Sequence, residues 1–165
     1  MTEQDTDLIV AWRNKEFVRE NFIYRGPFTR QVHENWIETK IKTGKVVQFM
    51  ICLEGDRAIG SVYLNDIDET HHHAEYGIFI GEDDCLGKGY GTQAAELAIW
   101  YAFHELHLHK LFLRLLDGNE RAKRSYEKVG FTCEGHFKDY VYVDGSYRDV
   151  VFMSILNPED RDDHR

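Results

Sequence analysis

The stretch that decides the fold is Glu75-Tyr-Gly-Ile-Phe-Ile-Gly-Glu-Asp-Asp-Cys-Leu-Gly-Lys-Gly-Tyr-Gly-Thr92. Its apolar run, Ile78 to Ile80, predicts a buried strand. After the stretch, apolar residues recur at the spacing of one helix face and predict a helix over residues 92–106. Between strand and helix, glycine at alternate positions, Gly87, Gly89 and Gly91, allows sharp backbone turns and the close approach of a ligand.

The loop between this strand and this helix has the character of a phosphate site, because a helix start offers unpaired N–H groups and the positive end of its dipole. Three types of loop compete. A Walker loop requires Ser or Thr after its Lys, but Lys88 is followed by Gly89. A dinucleotide loop requires GxGxxG in the first turn of a parallel unit, whereas this loop is GxGxG and follows several predicted antiparallel strands. The third type is a cradle for the pyrophosphate of coenzyme A.

Two segments carry a family resemblance. Residues Leu86 to Gly91 resemble motif A of the GNAT superfamily of acyl-CoA-dependent N-acyltransferases, which runs Gln or Arg, two residues, Gly, one residue, then Gly or Ala. Asn119-Glu-Arg-Ala-Lys-Arg-Ser-Tyr-Glu-Lys-Val-Gly-Phe131 is similar to the family pattern of Asn, then Ala, then Tyr-Glu-Lys-x-Gly-Phe. With Ala11-Trp-Arg-Asn14, the resemblance covers about residues 3–155 and is closest to the ribosomal-protein, spermidine and amino-sugar N-acetyltransferases.

The resemblance implies an acetyl-CoA-dependent N-acetyltransferase that acylates a primary amine by direct attack. Backbone N–H groups of the loop would bind the pyrophosphate, with charge added by Lys88, although Leu86 replaces the usual Gln or Arg. The pantetheine arm would pair with the strand backbone before the loop, and Asn119 would cap its helix or bind the pantetheine amide. The predicted cofactor-binding residues are Ile78, Phe79, Ile80, Leu86, Gly87, Lys88, Gly89, Tyr90, Gly91, Thr92 and Asn119.

The catalytic residues implied by the resemblance are Tyr126 and Glu75. Tyr126 matches the family's general acid, and a phenol of pKa about 10 suits protonation of a leaving thiolate. Glu75 lies on the strand beside the thioester and is the candidate base, acting directly or through water, with a solvated or ion-paired carboxylate as the alternative. Candidate substrate contacts in the N-terminal part are Tyr24, Arg25, His33 and Glu34, of which His33 and Glu34 are also weaker candidate bases.

Composition limits the function classes. A net charge of −9 argues against nucleic acid as a partner and is compatible with a cationic substrate. No apolar run approaches the roughly 20 residues of a membrane span, and the acidic N-terminus is unlike a signal peptide, so we expect a cytoplasmic protein. The three cysteines, widely spaced, predict free thiols. Adjacent histidines at 71–73 alternate between strand faces, so no metal site is predicted.

The chain of 165 residues predicts one α/β domain with the GNAT fold, a single mixed, mostly antiparallel twisted sheet flanked by helices. Family chains usually begin with a strand, which is missing here, so either the sequence is shortened at its start or a sheet edge is left open. Helices are predicted at 3–18, 29–42 (Val32, Trp36 and Ile37 inward), 92–106 and 119–128, and strands at 46–53, 58–64, 73–80, 110–116, 132–143 and 147–156. Residues 157–165 are predicted to be frayed, and the last hairpin offers a possible homodimer surface.

A second function remains open from the sequence. The domain could be a non-catalytic acyl-CoA-binding sensor or a partner-binding module. The presence of Tyr126 and Asn119 favours the enzyme.

Overall fold

A computed structural model describes residues 1–161 of the chain. Six strands form one sheet in the order β1-β2-β3-β4-β6-β5, in which only β3 and β4, among the described strands, are parallel neighbours. The sheet confirms the predicted mixed, mostly antiparallel arrangement. The strands are β1 Val46–Cys52, β2 Ala58–Asp68, β3 His73–Ile80, β4 Lys110–Leu116, β5 Thr132–Val143 and β6 Ser146–Leu156.

Helices flank both faces of the sheet. They are α1 Thr6–Asn14, α2 Glu16–Arg19, α3 Arg30–Trp36, α4 Tyr90–His104 and α5 Glu120–Lys128, with a π-helical turn at Ile37–Ile41 and 3-10 turns at Glu3–Asp5, Asp83–Cys85 and Pro158–Arg161. None of these helices combines the length and the apolar character needed to cross a membrane.

The predicted first helix, residues 3–18, is wrong in one respect, because it is interrupted at Lys15. The backbone of Lys15 is extended, with φ −63° and ψ 135°. Its ammonium donates a hydrogen bond to the carbonyl oxygen of Gly81 at 2.8 Å, so a contact distant in sequence holds the break in place. Local helix propensity carries no information about such a contact.

Helix α3 begins where the sequence predicts. Thr29 caps it by accepting a hydrogen bond from the Val32 amide at 3.3 Å. The predicted inward face is partly wrong, since Val32 is 38% exposed and His33 is 1% exposed. Ile37 is buried as expected, and the indole of Trp36 donates to the side chain of Gln48 at 2.9 Å.

The two faces of the sheet are packed differently. On one face, α4 and α5 cover the main core, whose fully buried members include Ala74, Leu111 and Met153. On the other face, α1 and α2 cover a smaller cluster centred on Trp12 and Phe79. We call these the core face and the helix-cap face. Side chains alternate between them along each strand, so each strand contributes to both.

The parallel pair diverges along its length. Cα partners join β3 to β4 only at His73–Lys110, Ala74–Leu111 and Glu75–Phe112. Beyond them, β3 continues to Ile80 and β4 continues to Leu116. The gap between residues 76–80 and 113–116, which we call the split, leaves one side of the β3 backbone without a strand partner.

The two ends of the described chain lie at different places on the sheet. β1 is an edge strand of the described sheet, and the amino group of Met1 donates to the Gln48 carbonyl oxygen at 3.2 Å. At the other end, Asn157 is 6% exposed and precedes the turn at Pro158–Arg161. The predicted fraying also concerns residues 162–165, which lie outside the described residues.

Candidate active site

The glycine loop needs glycine because of its backbone angles. Gly87 has φ +73° and Gly89 has φ +84°, in the left-handed region that side chains disfavour. A Cβ at either position would meet no atom within 4 Å. Glycine is therefore required for the backbone conformation and not for lack of space. Both residues are exposed, so the loop backbone is accessible to a ligand.

The loop leads directly into the start of α4. The first amide bonded back along this helix is that of Gln93, which donates to the Gly89 carbonyl at 3.1 Å. The N–H groups of residues 90–92 are therefore the free donors of a helix start. Together with the exposed Lys88, they fit a pyrophosphate at the positive end of a 15-residue helix.

The strand before the loop fits the pantetheine arm. The Phe79 side chain is 8% exposed and packs against Trp12 at a centroid distance of 6.2 Å, which anchors the strand on the helix-cap face. A Cβ on Gly91 would lie 3.9 Å from Cγ1 of Ile80, so the helix start adjoins the end of β3. The strand and the loop therefore form one continuous surface, as the predicted binding residues require.

Tyr126 reaches the split from the core face. It lies on α5, and its ring meets that of Tyr76 edge-on at 6.1 Å. Tyr76 is the first β3 residue beyond the paired part of β3 and β4. Burial raises the pKa of Tyr126 above its ordinary value, so the phenol keeps its proton at neutral pH and can donate it.

Glu75 is ion-paired. Its two carboxylate oxygens accept hydrogen bonds from Nε and Nη2 of Arg114 at 2.7 and 2.9 Å, and the pairing raises the pKa of Arg114. The sequence offered Glu75 as a base or as a solvated or ion-paired carboxylate, and in the structure the carboxylate has an ion-pair partner. Glu75 belongs to the last Cα pair before the split, so the carboxylate stands at its entrance on the helix-cap face.

Asn119 caps α5. Its Oδ1 accepts from the Ala122 amide at 3.2 Å, and its Nδ2 donates to Oδ1 of Asn21 at 3.0 Å. The side chain therefore has the capping role that the sequence offered as one of two, and it also ties α5 to the segment after α2.

The four predicted substrate contacts do not come together. Tyr24 is 57% exposed, and Arg25 forms an ion pair with Asp144 of the β5–β6 turn. His33 is buried, with Nδ1 3.0 Å from Oγ1 of Thr6, so its position supports a packing role rather than substrate contact. Glu34 pairs with Arg30 and lines a separate cleft of about 590 Å³ beside the first turn of the chain.

Sequence reasoning missed Tyr63 as a neighbour of the split. Tyr63 on β2 is the sheet partner of Gly77, and a Cβ on Gly77 would lie 2.2 Å from Cζ and 2.4 Å from the hydroxyl oxygen of Tyr63. The ring therefore covers Gly77 on the helix-cap face. Burial raises the pKa of Tyr63 to about 12. A glycine inside a predicted strand was the available signal, because it marks a close approach.

Sequence reasoning also missed the burial of the Arg13 side chain. Its side chain is 9% exposed, and its guanidinium carbon lies 3.3 Å from the ring centroid of Phe22 and 4.8 Å from that of Phe28. Burial lowers the pKa of Arg13 to about 10. An arginine next to a tryptophan in an amphipathic helix carries no signal that distinguishes a buried cation from a surface one.

An acidic cluster adjoins the loop. One ligand atom from each of Glu82, Asp83 and Asp84 lies within 4.8 Å of the others. Two of these carboxylates already have partners, since Glu82 accepts from the Trp12 indole at 2.6 Å and Asp84 pairs with Arg57. The cluster therefore fits a role in attaching α1 and the β1–β2 turn to the loop.

Comparison with known proteins places this geometry in a family. Residues 1–132 match the family described as acetyltransferase (GNAT) domain. The spermidine N(1)-acetyltransferase of Escherichia coli (strain K12) is 36% identical over 118 residues, 72% of this chain and 62% of that protein. The chain thus spans less than two thirds of the length of this relative. The ribosomal protein uS5 alanine N-acetyltransferase of the same organism is 26% identical over 163 residues, 90% of this chain and 84% of that protein.

A solved structure shares the fold. The spermidine N-acetyltransferase from Vibrio cholerae, in complex with CoA and spermine, has a TM-score of 0.88 and 28% identity to this chain, and the match covers 94% of this chain and 92% of that one. The glycine loop, the split and the family match agree with one another. The chain belongs to the GNAT acetyltransferase family.

Proposed function

We propose that the protein transfers the acetyl group of acetyl-CoA to a primary amine by direct attack. The observation that carries the proposal is the split, which has a phosphate-binding loop at one end, an unpaired strand backbone along its side and the Tyr126 phenol on the core face. These are the three parts that acyl transfer from a thioester needs: a place for the diphosphate, a guide for the arm and a proton donor.

Each part of the site has one task. The N–H groups of the loop and of the α4 start bind the diphosphate, and the free backbone side of β3 pairs with the amides of the pantetheine arm. A backbone N–H of residues 76–80 polarises the thioester carbonyl, and losing one donor of this kind typically costs about 10²- to 10³-fold in rate. Because these contacts are made by backbone, Leu86 is tolerated where related chains carry Gln or Arg.

The acetyl transfer requires one proton donor, which protonates the leaving sulfur. The amine nitrogen forms a bond to the acetyl carbon, the carbon–sulfur bond breaks, and Tyr126 gives its proton to the sulfur. The amine must lose a proton first. Glu75 accepts it directly or through a water, because each carboxylate oxygen that bonds Arg114 keeps a second lone pair, and loss of the proton to bulk solvent is the alternative.

The acceptor is proposed only as a primary amine. The two curated relatives are named for acceptors of different kinds, a polyamine in one and an alanine of a ribosomal protein in the other. We expect the residues that contact an acceptor in the N-terminal segment and in the turn at Asp144, which Arg25 joins through its ion pair.

A thiol-release assay tests the proposal. Purified protein with acetyl-CoA and a panel of amines (polyamines, amino acids, amino sugars and a peptide with a free N-terminus) should release free thiol with at least one amine. Calorimetry with acetyl-CoA alone establishes whether the cofactor binds. Binding without thiol release on any amine would favour the acyl-CoA sensor, and absence of binding by folded protein would remove the cofactor assignment.

Association of two copies through the last hairpin is a further part of the proposal. Tyr142 and Tyr147 are each 66% exposed, and their ring centroids lie 5.1 Å apart. The hairpin therefore carries a solvent-exposed aromatic pair. Light scattering on the wild type and on the Tyr142→Ser/Tyr147→Ser double variant tests it, since a hairpin dimer should dissociate in the variant.

A further inference from the structure

Arg13 is a buried cation without an anion. No carboxylate of the described residues forms an ion pair with it, and its buried Nη1 has no hydrogen-bond partner among them. Two aromatic rings, Phe22 and Phe28, are its close contacts. Burial of an unpaired charge is unfavourable, and natural proteins usually compensate for it with a paired group.

Arg13 lies beside the split on the helix-cap face. The ring of Phe22, over which the guanidinium stacks, packs edge-on against Phe79 of β3 at a centroid distance of 5.8 Å. Tyr63, whose ring covers Gly77 of the same strand, and Tyr24 are near enough to Arg13 for their ionisation to affect its pKa. The cation therefore lies on the opposite side of β3 from Tyr126, where an acceptor would approach.

The carboxylates of this region are already neutralised by other bases. Glu75 pairs with Arg114, Glu82 with Lys15, and Asp144 with Arg25. Each of these three carboxylates is balanced by a base of the chain itself. The uncompensated charge at this side of the split is therefore positive, despite the net charge of −9 for the whole chain.

We propose that Arg13, assisted by the hydroxyls of Tyr24 and Tyr63, receives an anionic group of the acceptor, so that the preferred substrate is an amine that also carries a carboxylate or a phosphate. This inference rests on the proposed acetyl transfer. A guanidinium presents a planar fork of donors that matches both anions, and the phenols add neutral donors. The anion held at Arg13 orients the amine toward β3.

The same geometry disfavours a free polyamine. A polyamine offers no partner for Arg13, and its positive charges are repelled by it. The substrate class therefore separates this chain from relatives that are named for spermidine. Phe22 and Phe28 belong to the segment between α2 and α3, so we expect the anion to enter as this segment moves off the guanidinium.

Matched acceptor pairs test the inference without any mutation. Ornithine and putrescine, or lysine and cadaverine, differ by one carboxylate, and glucosamine 6-phosphate and glucosamine differ by one phosphate. Thiol release should show kcat/KM at least about 10-fold higher for the anionic member of the carboxylate pairs or of the phosphate pair, and the two arms distinguish the anions. If, in every pair, kcat/KM is equal or higher for the member without the carboxylate or phosphate, the inference is overturned. Acetyl transfer itself would still stand.

Variants then assign the preference to Arg13. Arg13→Gln should reduce the preference about 10-fold or more through KM, and Arg13→Lys should retain part of it because the charge remains. Arg19→Gln, an exposed arginine on α2, is the matched control and should keep the preference. Circular dichroism and acetyl-CoA affinity check that each variant is folded, and an unchanged preference in folded Arg13→Gln contradicts the assignment.

A binding measurement separates the inference from the catalytic proposal. If acetyl-CoA binds and no amine releases thiol, the proposed function fails. Calorimetry of ornithine and of glucosamine 6-phosphate against protein saturated with CoA then decides the inference alone. Binding that is lost in Arg13→Gln supports an anion site, and absence of binding by both ligands overturns it.

Discussion

One side of the split is formed by backbone groups and the other by side chains. On the cofactor side, the loop and β3 offer backbone groups, whose positions depend on glycine angles and strand pairing. On the proposed acceptor side, side chains such as Arg13, Tyr63 and Glu75 are placed by packing and ion pairs. A site made of backbone tolerates a change such as Leu86 in the motif, whereas a site made of side chains changes its selectivity with each substitution.

Tyr126→Phe should have the largest effect, because Tyr126 is the proposed proton donor and the substitution keeps its ring in place. We expect kcat to fall about 10²- to 10⁴-fold through loss of the proton donor, with acetyl-CoA affinity unchanged within about twofold. Steady-state kinetics and calorimetry measure the two quantities. Tyr142→Phe, which alters an exposed tyrosine, should leave both near wild type. Unchanged turnover in Tyr126→Phe would remove the residue from its role.

Gly77→Ala tests whether the acceptor side depends on close packing. The new Cβ would lie 2.2 Å from the Tyr63 ring, so the ring or the strand must shift, and we expect a loss of about 2–3 kcal/mol in the free energy of unfolding. Urea denaturation measures it. Gly135→Ala, where the nearest atom is at 3.4 Å, is the matched strand control and should cost less. A double variant with Tyr63→Ala should recover part of the loss if the ring is the cause.

Gly89→Ala tests whether the cofactor side depends on backbone angle. At φ +84° an alanine is strained by about 1 kcal/mol, so the loop amides should turn away and acetyl-CoA affinity should fall about fivefold. Gly44→Ala is the control, because Gly44 has φ +75°, open surroundings and a position far from the loop in sequence. It should lose similar stability and keep its affinity. Equal affinity in both variants would contradict a backbone cradle.

The smallest expected effect concerns His33. Burial lowers the pKa of His33 below 6.5. As the pH falls below 6.5, this histidine therefore binds a proton more readily in the unfolded chain than in the folded chain. Stability should be complete above about pH 6.5 and decrease as the pH falls below it. Thermal denaturation at pH 7.5 and pH 5.5 measures this, and His33→Gln should show a smaller difference between the two, whereas exposed His136→Gln should resemble the wild type. A difference equal in all three proteins would assign the pH effect to other groups.

Local patterns predicted most elements and the glycine loop between β3 and α4. The strand bounds agree within one residue for β1, β3, β4, β5 and β6, whereas β2 extends four residues further, to Asp68, because pairing with β3 prolongs it past the apolar run. The acceptor side was not predictable in the same way. The interruption at Lys15 depends on Gly81, and burial of His33 in place of Val32 depends on Thr6, contacts that no periodicity encodes.

The sequence by itself determined the family, the order of strands and helices along the chain, and a glycine loop with a tyrosine downstream. Each of these depends on the spacing of residues that are near one another in the sequence. The tertiary structure alone decided that Glu75 is paired with Arg114, that Tyr63 covers Gly77, and that Arg13 is buried without an anion. Those outcomes depend on which side chains come into contact from strands and helices far apart in the chain. Such tertiary contacts decide which charges of a folded protein are paired.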